Sequence, residues 1–460
     1  MQTRTKASQT LKPNRKDRRA AGRALRDKCA KGACASWKPH PKRRDPIDLL
    51  IESSKGRMPQ LVPIRYARMM QSPFAFYRGA AAIMAADLGH TPVSGIRVQA
   101  CGDCHLLNFG GFATPERNIA FDINDFDETL PAPWEWDVKR LAVSCVVAGK
   151  HNGYNKTDAR EMALRCVQSY REHIESFARM TVLERWYEHI NATDILSALS
   201  GKKWRREVQT QIDKAVARLV LEDDFPKLAT VEGGEPRIKD NPPLIFHQGD
   251  VAAHGEYGRA IKAAFRKYRA TLSDERRELL DRFELKDVAI KVVGVGSVGT
   301  MCGILLLMAD TDDALFLQVK EARVSVLEPY AGKSRYRNRG ERVVVGQRLM
   351  QAASDLFLGW TEYQGRHFYI RQLRDHKIKP MIEGISASRL GLYSGWCGWA
   401  LARAHAKSGD AAMISGYLGS NDRFDKAVAK FALTYAEQNE RDYKTLLKAI
   451  RDGRIQTLEE

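Results

Sequence analysis

The spacing of apolar residues divides the chain into a helix-rich first part, a strand-rich block and a helical C-terminal part. The stretch SPFAFYRGAAAIMAADLG (72–89) predicts one helix that begins at a Ser-Pro cap and ends at a glycine. Helical periodicity returns at Pro133 and continues to about residue 225. Alternating strands dominate residues 287–325, and several helices from Ser386 onward complete the chain. This order predicts an α+β fold.

Two strand–turn–strand units lie within this pattern. In the first, NFGGF and IAFDIND flank the turn ATPERN, and the second strand alternates Ile119, Phe121 and Ile123. In the second, the glycine-rich stretch KVVGVGSVG is followed by the apolar run TMCGILLLMA, an acidic turn and the strand LFLQVKEA. The apolar run is too short for the crossover helix and further strand of a dinucleotide-binding unit. We therefore expect a glycine loop between two antiparallel strands.

Positive charge is concentrated at the N-terminus. The formal net charge of the 460 residues is +18, and residues 1–44 contain fifteen lysine and arginine residues against only Asp17 and Asp27. Because this segment has few large apolar residues, we expect a basic flexible tail that is solvated. Weak contact of the tail with nucleic acid or an anionic surface is the alternative interpretation.

The sequence predicts a protein without a transmembrane segment. The tail lacks the apolar stretch of a secretory signal. The longest uncharged run, residues 292–309, is interrupted by glycines and belongs to the predicted hairpin. We therefore expect a cytoplasmic protein.

Residues 101–110, CGDCHLLNFG, permit two interpretations. Cys101 and Cys104 have the spacing of a metal or redox pair, but no well-placed second pair accompanies them and strand-like sequence follows. Asp103 and Asn108 have the spacing of a phosphate-transfer loop, in which the aspartate orients or deprotonates an acceptor hydroxyl and the asparagine binds a metal. We favour the second interpretation and regard the thiols as neighbours of the loop.

Further carboxylates follow at the end of the first hairpin, in DINDFDE. Carboxylate and amide oxygens are the ligands that Mg²⁺ prefers. The position at the strand end favours Asp125 as a metal ligand beside Asn108, and Asp127 adds a second carboxylate. Asp122 is a third candidate that the pattern does not rank. Ordinary turn and cap roles would also account for these acids.

The second hairpin supplies candidate contacts for a nucleotide. Glycines permit the close approach of a backbone to phosphate groups, and a lysine on the following strand is placed to contact the same phosphates. A lysine that faces solvent is the alternative. The candidate cofactor-binding residues are Gly294, Gly296, Ser297, Gly299 and Lys320.

Two other features concern the same region of the predicted site. Glu341 and Gln347, on the helix that follows, are both candidates for the partner of Lys320. The stretch HQGD contains His247 and Asp250 but no asparagine at the spacing that metal binding needs, so we interpret both as loop residues.

Several stretches together resemble one bacterial family. They are FAFYRGAAAIMAADL, the run from CGDCHLLNFGG to WEWDVKRL, GQRLMQAASDLFLGW, FYIRQLRD and YAEQNERDY. Together they resemble the bacterial domain-of-unknown-function family 2252 from about residue 45 to 450. That resemblance implies almost no biochemistry.

The central run also resembles aminoglycoside phosphotransferases. Their GDxHxxN loop matches Asp103, His105 and Asn108, and their following metal-binding aspartate matches Asp125. The resemblance implies that Asp103 and His105 are catalytic and that Asp137 braces the loop from a helix.

The predicted parts occur in an order different from that of an ordinary kinase, because the glycine loop follows the Asp103 loop. We therefore expect an α+β, two-lobed, protein-kinase-like fold that is circularly permuted. Its parts would be the basic flexible tail (1–44), a large helical lobe with the catalytic loop and metal-binding hairpin (45–280), a small antiparallel-sheet lobe with the glycine loop and lysine strand (281–378), and C-terminal helices that pack on the large lobe (379–460).

The expected function is ATP- and Mg²⁺-dependent phosphotransfer to an unknown acceptor. A nucleotide and that acceptor are then the partners. Two alternatives use the same residues. One is a non-catalytic nucleotide-binding module that the basic tail recruits to nucleic acid, and the other is nucleotidyl transfer onto protein.

Overall fold

The computed structural model describes residues 13–199, 201–217, 225–249, 255–292, 294–373, 378 and 382–458. Over these residues the fold is mixed α+β, with a majority of helices and antiparallel sheets, so the predicted class is confirmed. Among the helices of these segments, none has both the length and the apolar character that crossing a membrane requires.

Helices lie mainly before and after a central block of strands. Polar side chains cap several of them, as in α7, where Asn155 accepts a hydrogen bond from the N–H of Asp158. In chain order the α-helices are α1 (Arg15–Lys28), α2 (Pro46–Ser54), α3 (Val62–Met69), α4 (Pro73–Gly79), α5 (Ala81–Leu88), α6 (Trp134–His151), α7 (Lys156–Arg179), α8 (Val182–Tyr187), α9 (Ala192–Ala198), α10 (Lys202–Val216), α11 (Phe225–Leu228), α12 (Glu256–Arg269), α13 (Asp274–Leu280), α14 (Glu328–Ala331), α15 (Arg339–Met350), α16 (Ala387–Ser408), α17 (Ala411–Leu418) and α18 (Arg423–Arg451).

The strands form one large sheet and three small ones. In chain order they are β1 (Arg97–Ala100), β2 (Phe109–Ala113), β3 (Ile119–Ile123), β4 (Leu130–Pro133), β5 (Ile190–Asn191), β6 (Ala229–Glu232), β7 (Glu235–Ile238), β8 (Ile245–Phe246), β9 (Glu284–Lys291), β10 (Cys302–Asp310), β11 (Asp313–Glu321), β12 (Gly359–Tyr363) and β13 (Arg366–Gln372). The large sheet has the order β12-β13-β11-β10-β9-β8, and its pairs are antiparallel.

Both predicted hairpins are present. Strands β2 and β3 pair with Phe109 opposite Ile123 and enclose the predicted turn. Strands β9 and β10 pair directly and antiparallel, with the glycine loop between them. No crossover helix lies between these two strands in the part of the chain that is described, so the prediction of a glycine loop within an antiparallel sheet is confirmed.

The largest apolar core lies among the long helices α6, α7, α16 and α18. Trp134, the first residue of α6, is fully buried, and its ring stacks on that of Tyr170 of α7 with 5.6 Å between centroids. Phe424 of α18 contacts the same indole at 5.1 Å. Aromatic rings from three helices therefore meet at one point and hold the C-terminal helices against α6 and α7.

The predicted helix over residues 72–89 is divided in two at Ala80. The carbonyl oxygen of Gly79 accepts a hydrogen bond from Nη2 of buried Arg65 (3.0 Å), and Ala80 has the non-helical angles φ −106° and ψ 27°. A Cβ on Gly79 would also lie 2.7 Å from the side chain of Met69. A side chain from α3 thus takes a carbonyl that a continuous helix would use, which local sequence does not reveal.

The N-terminal segment differs from the expected flexible tail. Residues 1–12 lie outside the described part, but α1 is a helix that packs closely on α17. Gly22 of α1 and Gly416 of α17 form the crossing, where a Cβ on Gly416 would lie 2.1 Å from the carbonyl oxygen of Arg19. The expectation failed because small residues, rather than large apolar ones, make this contact.

Part of the positive charge of this segment is used within the fold. Arg18 forms an ion pair with Asp410 (3.1 Å), and Arg19 forms one with Glu175 (2.7 Å). The ammonium group of Lys31 donates to a backbone oxygen at the end of α17 (2.7 Å). These three cations therefore bind other parts of the fold and do not belong to a fully solvated arm.

The close approach of α1 and α17 predicts a large effect of one methyl group. In Gly416→Ala the new Cβ would overlap the backbone of α1, and we expect the free energy of unfolding to fall by about 1–3 kcal/mol. The matched control is Gly395→Ala within α16, where a Cβ meets no atom within 4 Å, and where we expect a gain of about 0.5–1 kcal/mol. Denaturant unfolding of both variants tests this; equal stabilities would contradict the crossing.

Candidate functional site

The candidate site is built on the turn that carries Asp103. Gly102, directly before it, has φ +83°, which favours glycine, and a Cβ there would lie 2.7 Å from a backbone carbonyl oxygen. Beneath the turn, Asp137 of α6 accepts hydrogen bonds from the N–H groups of Cys101 (2.8 Å) and Gly102 (3.0 Å). Nε2 of His405 lies 3.2 Å from the same carboxylate. A buried acid thus fixes the turn from the helical body, in the position expected of Asp137.

The two carboxylate oxygens of Asp103 have different surroundings. Oδ1 accepts hydrogen bonds from Nε (2.8 Å) and Nη2 (2.5 Å) of Arg140. Burial alone would lower the pKa of Arg140, but the adjacent Asp103 raises it. Oδ2 accepts no hydrogen bond from the described residues and lies 3.9 Å from Nε2 of His105. Oδ2 is therefore the oxygen that can receive a proton or a hydroxyl hydrogen bond.

His105 is a neutral, buried neighbour of this carboxylate. Its side chain is almost fully buried, and burial lowers the pKa of His105 to about 3. Its Nδ1 is buried and has no hydrogen-bond partner among the described residues. The ring therefore carries no charge at neutral pH. It packs beside Asp103 without adding a positive charge to the site.

Asn108 and Asp125 lie next to this turn. Nδ2 of Asn108 donates to the backbone oxygen of Asp103 (2.7 Å), which leaves the amide oxygen of Asn108 for a cation. The backbone oxygen of Asn108 accepts from the N–H of Asn124 (2.8 Å), so that the following residue, Asp125, is close by. Oδ2 of Asp125 lies 3.5 Å from Nζ of Lys320, and about a third of this side chain is exposed. Asp125 therefore retains accessible ligand oxygen.

Lys320 joins the large sheet to the acidic turn. Its Nζ donates to Oδ2 of Asp127 at 2.6 Å, and Ser297 donates to the same oxygen at 3.2 Å. Tyr369 of β13 donates to Oδ1 of Asp127 at 2.6 Å. Burial alone would lower the pKa of Lys320, but Asp125 and Asp127 raise it well above its ordinary value. Lys320 is therefore a cation. Its ammonium group is hydrogen-bonded to Asp127, whereas it lies farther from Asp125.

The remaining candidates of this region have other contacts. Asp122 is fully buried and pairs with Arg403 at 2.6 Å in the helical body, away from the cleft. Within the described residues, the acids that pair with Lys320 come from the turn that follows β3, and Glu341 forms no pair with this lysine. Gln347 donates instead to Gln351, the residue directly after α15. The partner of Lys320 is therefore an aspartate.

The HQGD stretch does not join the site. The ring of His247 lies between Asp240 (2.8 Å) and Asp287 (3.0 Å) beside the large sheet. These two acids raise the pKa of His247 against the effect of its burial, which alone would lower it. Asp250 lies outside the described residues.

The glycine loop is held by the N-terminal helices. Gly294 and Gly299 have φ +67° and +81°, which favour glycine. Val298, at the tip of the loop, is fully buried in a small apolar cluster with residues of α3 and the link before it. Arg57, in that link, donates from Nη1 to the carbonyl oxygen of Val298 (2.5 Å). The loop is thus fixed at its tip, while a Cβ on Gly296 would have only ordinary contact with Arg78.

The structure brings nearly all predicted site residues to one cleft. Lys320 contacts two acids of its lining, and Gly299 adjoins the lining residue Thr300. The predicted residues that line the cleft directly are Asp103, His105, Asn108, Asp125, Asp127, Gly294, Gly296 and Ser297.

Sequence reasoning missed two residues that contact this constellation. Arg140 lies three residues after Asp137 on α6, and this helical spacing could have indicated a shared face. Tyr369 belongs to a strand more than two hundred residues from Asp127 and carries no local signal.

One family matches most of the chain. A family model described as "Uncharacterized protein conserved in bacteria (DUF2252)" matches residues 57–449, which include the Asp103 turn, the glycine loop and Lys320. The chain belongs to this family. No curated protein and no solved structure matches the chain significantly.

Two of the eight cysteines of this DUF2252 protein, Cys101 and Cys104, flank Gly102 and Asp103 in the turn. The side chains of Cys101 and Cys104 are buried, and burial raises the pKa of Cys104 to about 12 and that of Cys101 well above its ordinary value. Ligand atoms of both thiols and of Asp137 lie within 4.8 Å of one another. However, Asp137 already accepts the two backbone N–H groups of the turn. This arrangement favours packed, protonated thiols over a metal or redox pair.

Replacement of both thiols tests this interpretation. We expect Cys101→Ala/Cys104→Ala to fold, to contain no zinc and to lose only about 1–3 kcal/mol of stability through lost packing. Cys145→Ala is the matched control for the loss of another buried thiol. The measurements are metal content by mass spectrometry and denaturant unfolding. Stoichiometric zinc in the unaltered protein, lost together with the fold in the double variant, would show that the cysteines hold a metal.

Proposed function

We propose that this protein is an ATP- and Mg²⁺-dependent phosphotransferase with a kinase-like, circularly permuted fold. One observation carries the proposal. Lys320, on β11, the second strand after the glycine loop, pairs with the acidic turn that follows β3. The lysine, the glycine loop and the carboxylates therefore share one cleft although they are far apart in the chain. Positioning and electrostatic stabilisation are the main demands of phosphoryl transfer.

The donor atoms in the cleft fit a hard divalent cation. Asn108 directs its amide nitrogen to a backbone oxygen, so its amide oxygen is free to be a ligand, and Asp125 offers a partly exposed carboxylate. Bound Mg²⁺ would supply neutralisation of the negative charge on phosphate oxygens. Asp127, with Lys320, Tyr369 and Ser297 around it, is better suited to orient the lysine than to bind the ion.

The chain's own residues account for the other requirements. The positive φ values of Gly294 and Gly299 let the backbone of the loop lie close to a nucleotide, and Lys320 supplies positive charge to its phosphates. Oδ2 of Asp103 can accept the proton of an acceptor hydroxyl while Arg140 holds the other oxygen. As the new oxygen–phosphorus bond forms, the bond between the γ-phosphorus and the β-phosphate oxygen breaks, and ADP leaves.

The substitution Asp125→Asn tests the metal-dependent binding of ATP without disturbing the fold. The substitution keeps size and hydrogen bonding but removes the charge that Mg²⁺ requires, so we expect a folded variant with at least about tenfold weaker affinity for Mg·ATP. Asp312→Asn, in the exposed turn between β10 and β11, is the matched control and should bind like the unaltered protein. Titration calorimetry with and without Mg²⁺ gives the affinities. Unchanged binding in Asp125→Asn would remove this residue from the site.

The position of a radioactive label distinguishes phosphotransfer from its alternatives. The protein would be incubated with Mg²⁺, candidate acceptors and ATP labelled at either the α or the γ position. We expect only the γ label to reach the product, because the transferred group is the terminal phosphoryl. Transfer of the α label would indicate nucleotidyl transfer. Tight Mg·ATP binding without transfer of either label would favour the non-catalytic module.

A further inference from the structure

Four arginines in the cleft have no acidic partner among the residues that the structure describes. Three of them come from the N-terminal helices and the link between α2 and α3, and the fourth lies two residues after the end of β11. They are Arg57, Arg65, Arg78 and Arg323. Within the described residues, none of the four forms an ion pair with a carboxylate, although all line the same cleft as Asp103 and Asp125.

The hydrogen bonds of these arginines go to neutral groups. Arg57 donates to the backbone oxygens of Ser53 (3.1 Å) and Val298 (2.5 Å). Arg65 donates to a serine hydroxyl (2.8 Å) and a backbone oxygen (3.0 Å), and Arg323 donates to two backbone oxygens. Arg78 donates no hydrogen bond to any described residue, and its Nε is buried.

Several other buried arginines of the described fold are neutralised by aspartates. The shared feature of those pairs is a carboxylate at hydrogen-bond distance, as buried charges normally require. The pairs are Arg43 with Asp87 and Asp442, Arg140 with Asp103, Arg171 with Asp425, and Arg403 with Asp122. Within the described residues the four arginines of the cleft lack such a partner, as does buried Arg342, which donates to backbone oxygens. What distinguishes the four is that they line one cleft together.

The other acids of the cleft are already engaged. Glu52 pairs with Arg44 (2.5 Å), and Glu321 pairs with Arg366 (3.0 Å). Glu128 accepts a backbone N–H at 2.7 Å. Glu128 acts electrostatically on Arg57 and Arg323, and Glu321 acts on Arg323, but no direct pair results. The part of the cleft around these arginines therefore keeps an excess of positive charge.

The excess charge is unfavourable while the cleft holds no anion. Burial, together with the charges of Arg65 and Arg323, lowers the pKa of Arg57 well below its ordinary value. Burial also lowers the pKa of Arg65 to about 10, and it lowers that of Arg78. Each shift means that the charged form is destabilised by its surroundings. An anion among these groups would relieve the repulsion.

We propose that this arginine cluster binds an anionic acceptor, one that carries a phosphate group beside the hydroxyl to be phosphorylated. This inference rests on the proposed phosphotransfer function. The nucleotide has its own candidate contacts in the glycine loop and Lys320, whereas Arg78 lies near Asp103 and His105, where an acceptor hydroxyl would lie. Guanidinium groups suit phosphate because they bind it in a bidentate manner. A polycationic acceptor such as an aminoglycoside is disfavoured in this cleft.

Inorganic phosphate is the probe that tests the cluster. Its binding would be measured by calorimetry on protein saturated with Mg²⁺ and a non-hydrolysable ATP analogue. We expect Arg78→Gln to bind phosphate at least about tenfold more weakly, since a hydrogen-bonded charge pair is lost. Because Arg78 makes no hydrogen bond within the described fold, its substitution should leave the structure intact. Arg78→Lys keeps the charge but not the bidentate geometry, so it should recover only part of the affinity. The exposed Arg266→Gln of α12 is the matched control.

The outcomes separate this inference from the proposed function. It is supported if phosphate binding falls in Arg78→Gln alone while affinity for the Mg²⁺-bound ATP analogue stays within about twofold. It is overturned if the unaltered protein binds no phosphate, if Arg78→Gln binds it equally well, or if that variant loses the ATP analogue as strongly. If the protein binds no ATP analogue, the proposed function fails. The phosphate titration of the protein alone then still decides whether the cluster is an anion site.

Discussion

A buried ion pair between Lys320 and Asp127 sets the geometry of the whole cleft. Its members are 193 residues apart, and they join the large sheet to the turn that follows β3. Such a pair stabilises only when its remaining hydrogen-bonding capacity is filled, and here Tyr369 and Ser297 fill it. Loss of one member would leave an uncompensated buried charge, at a cost of about 3–5 kcal/mol. The position of the glycine loop relative to Asp103 therefore depends on this contact.

The pair also explains why two adjacent acids can have different roles. Asp127 is surrounded by three donors, so its oxygens are committed to holding the lysine. Asp125 has one oxygen at 3.5 Å from Lys320 and keeps about a third of its surface exposed. A carboxylate that is already saturated is a poor ligand for an incoming cation, whereas a partly exposed one is a good ligand. The sequence offers both acids, but only their surroundings distinguish them.

Features that depend on neighbours in the chain could be predicted from the sequence. The two hairpins were predictable because alternation and turn residues are local signals, and the short spacing after Gly299 excluded a crossover helix. The bracing position of Asp137 followed from the resemblance of the motif, and its hydrogen bonds to Cys101 and Gly102 fit that expectation. For the same reason, most of the candidate site could be named by residue number.

Features that depend on distant contacts could not be predicted. Asp122 pairs with Arg403, 281 residues away, and nothing near either residue indicates this partner. The break at Ala80 follows from a hydrogen bond that Arg65 donates from another helix. The packing of α1 on α17 depends on a close helix crossing at Gly22. The small side chains at this crossing, rather than large apolar ones, permit the contact. In each case the deciding interaction is long-range, and sequence periodicity reports only local geometry.

The distribution of charge connects these observations. The basic N-terminal segment is strongly cationic in sequence, yet Arg18 and Arg19 of α1 are neutralised by acids of other helices. The unneutralised cations of the described fold that matter chemically lie instead in the cleft, at Arg57 and Arg78. Net charge alone left contact with an external polyanion as an alternative, whereas the pairing of Arg18 and Arg19 and the arginines of the cleft direct attention to the interior. The cleft contains carboxylates that can bind a cation and arginines that have no anionic partner among the described residues. These charges suit a site that binds a metal-bound nucleotide and an anionic acceptor side by side.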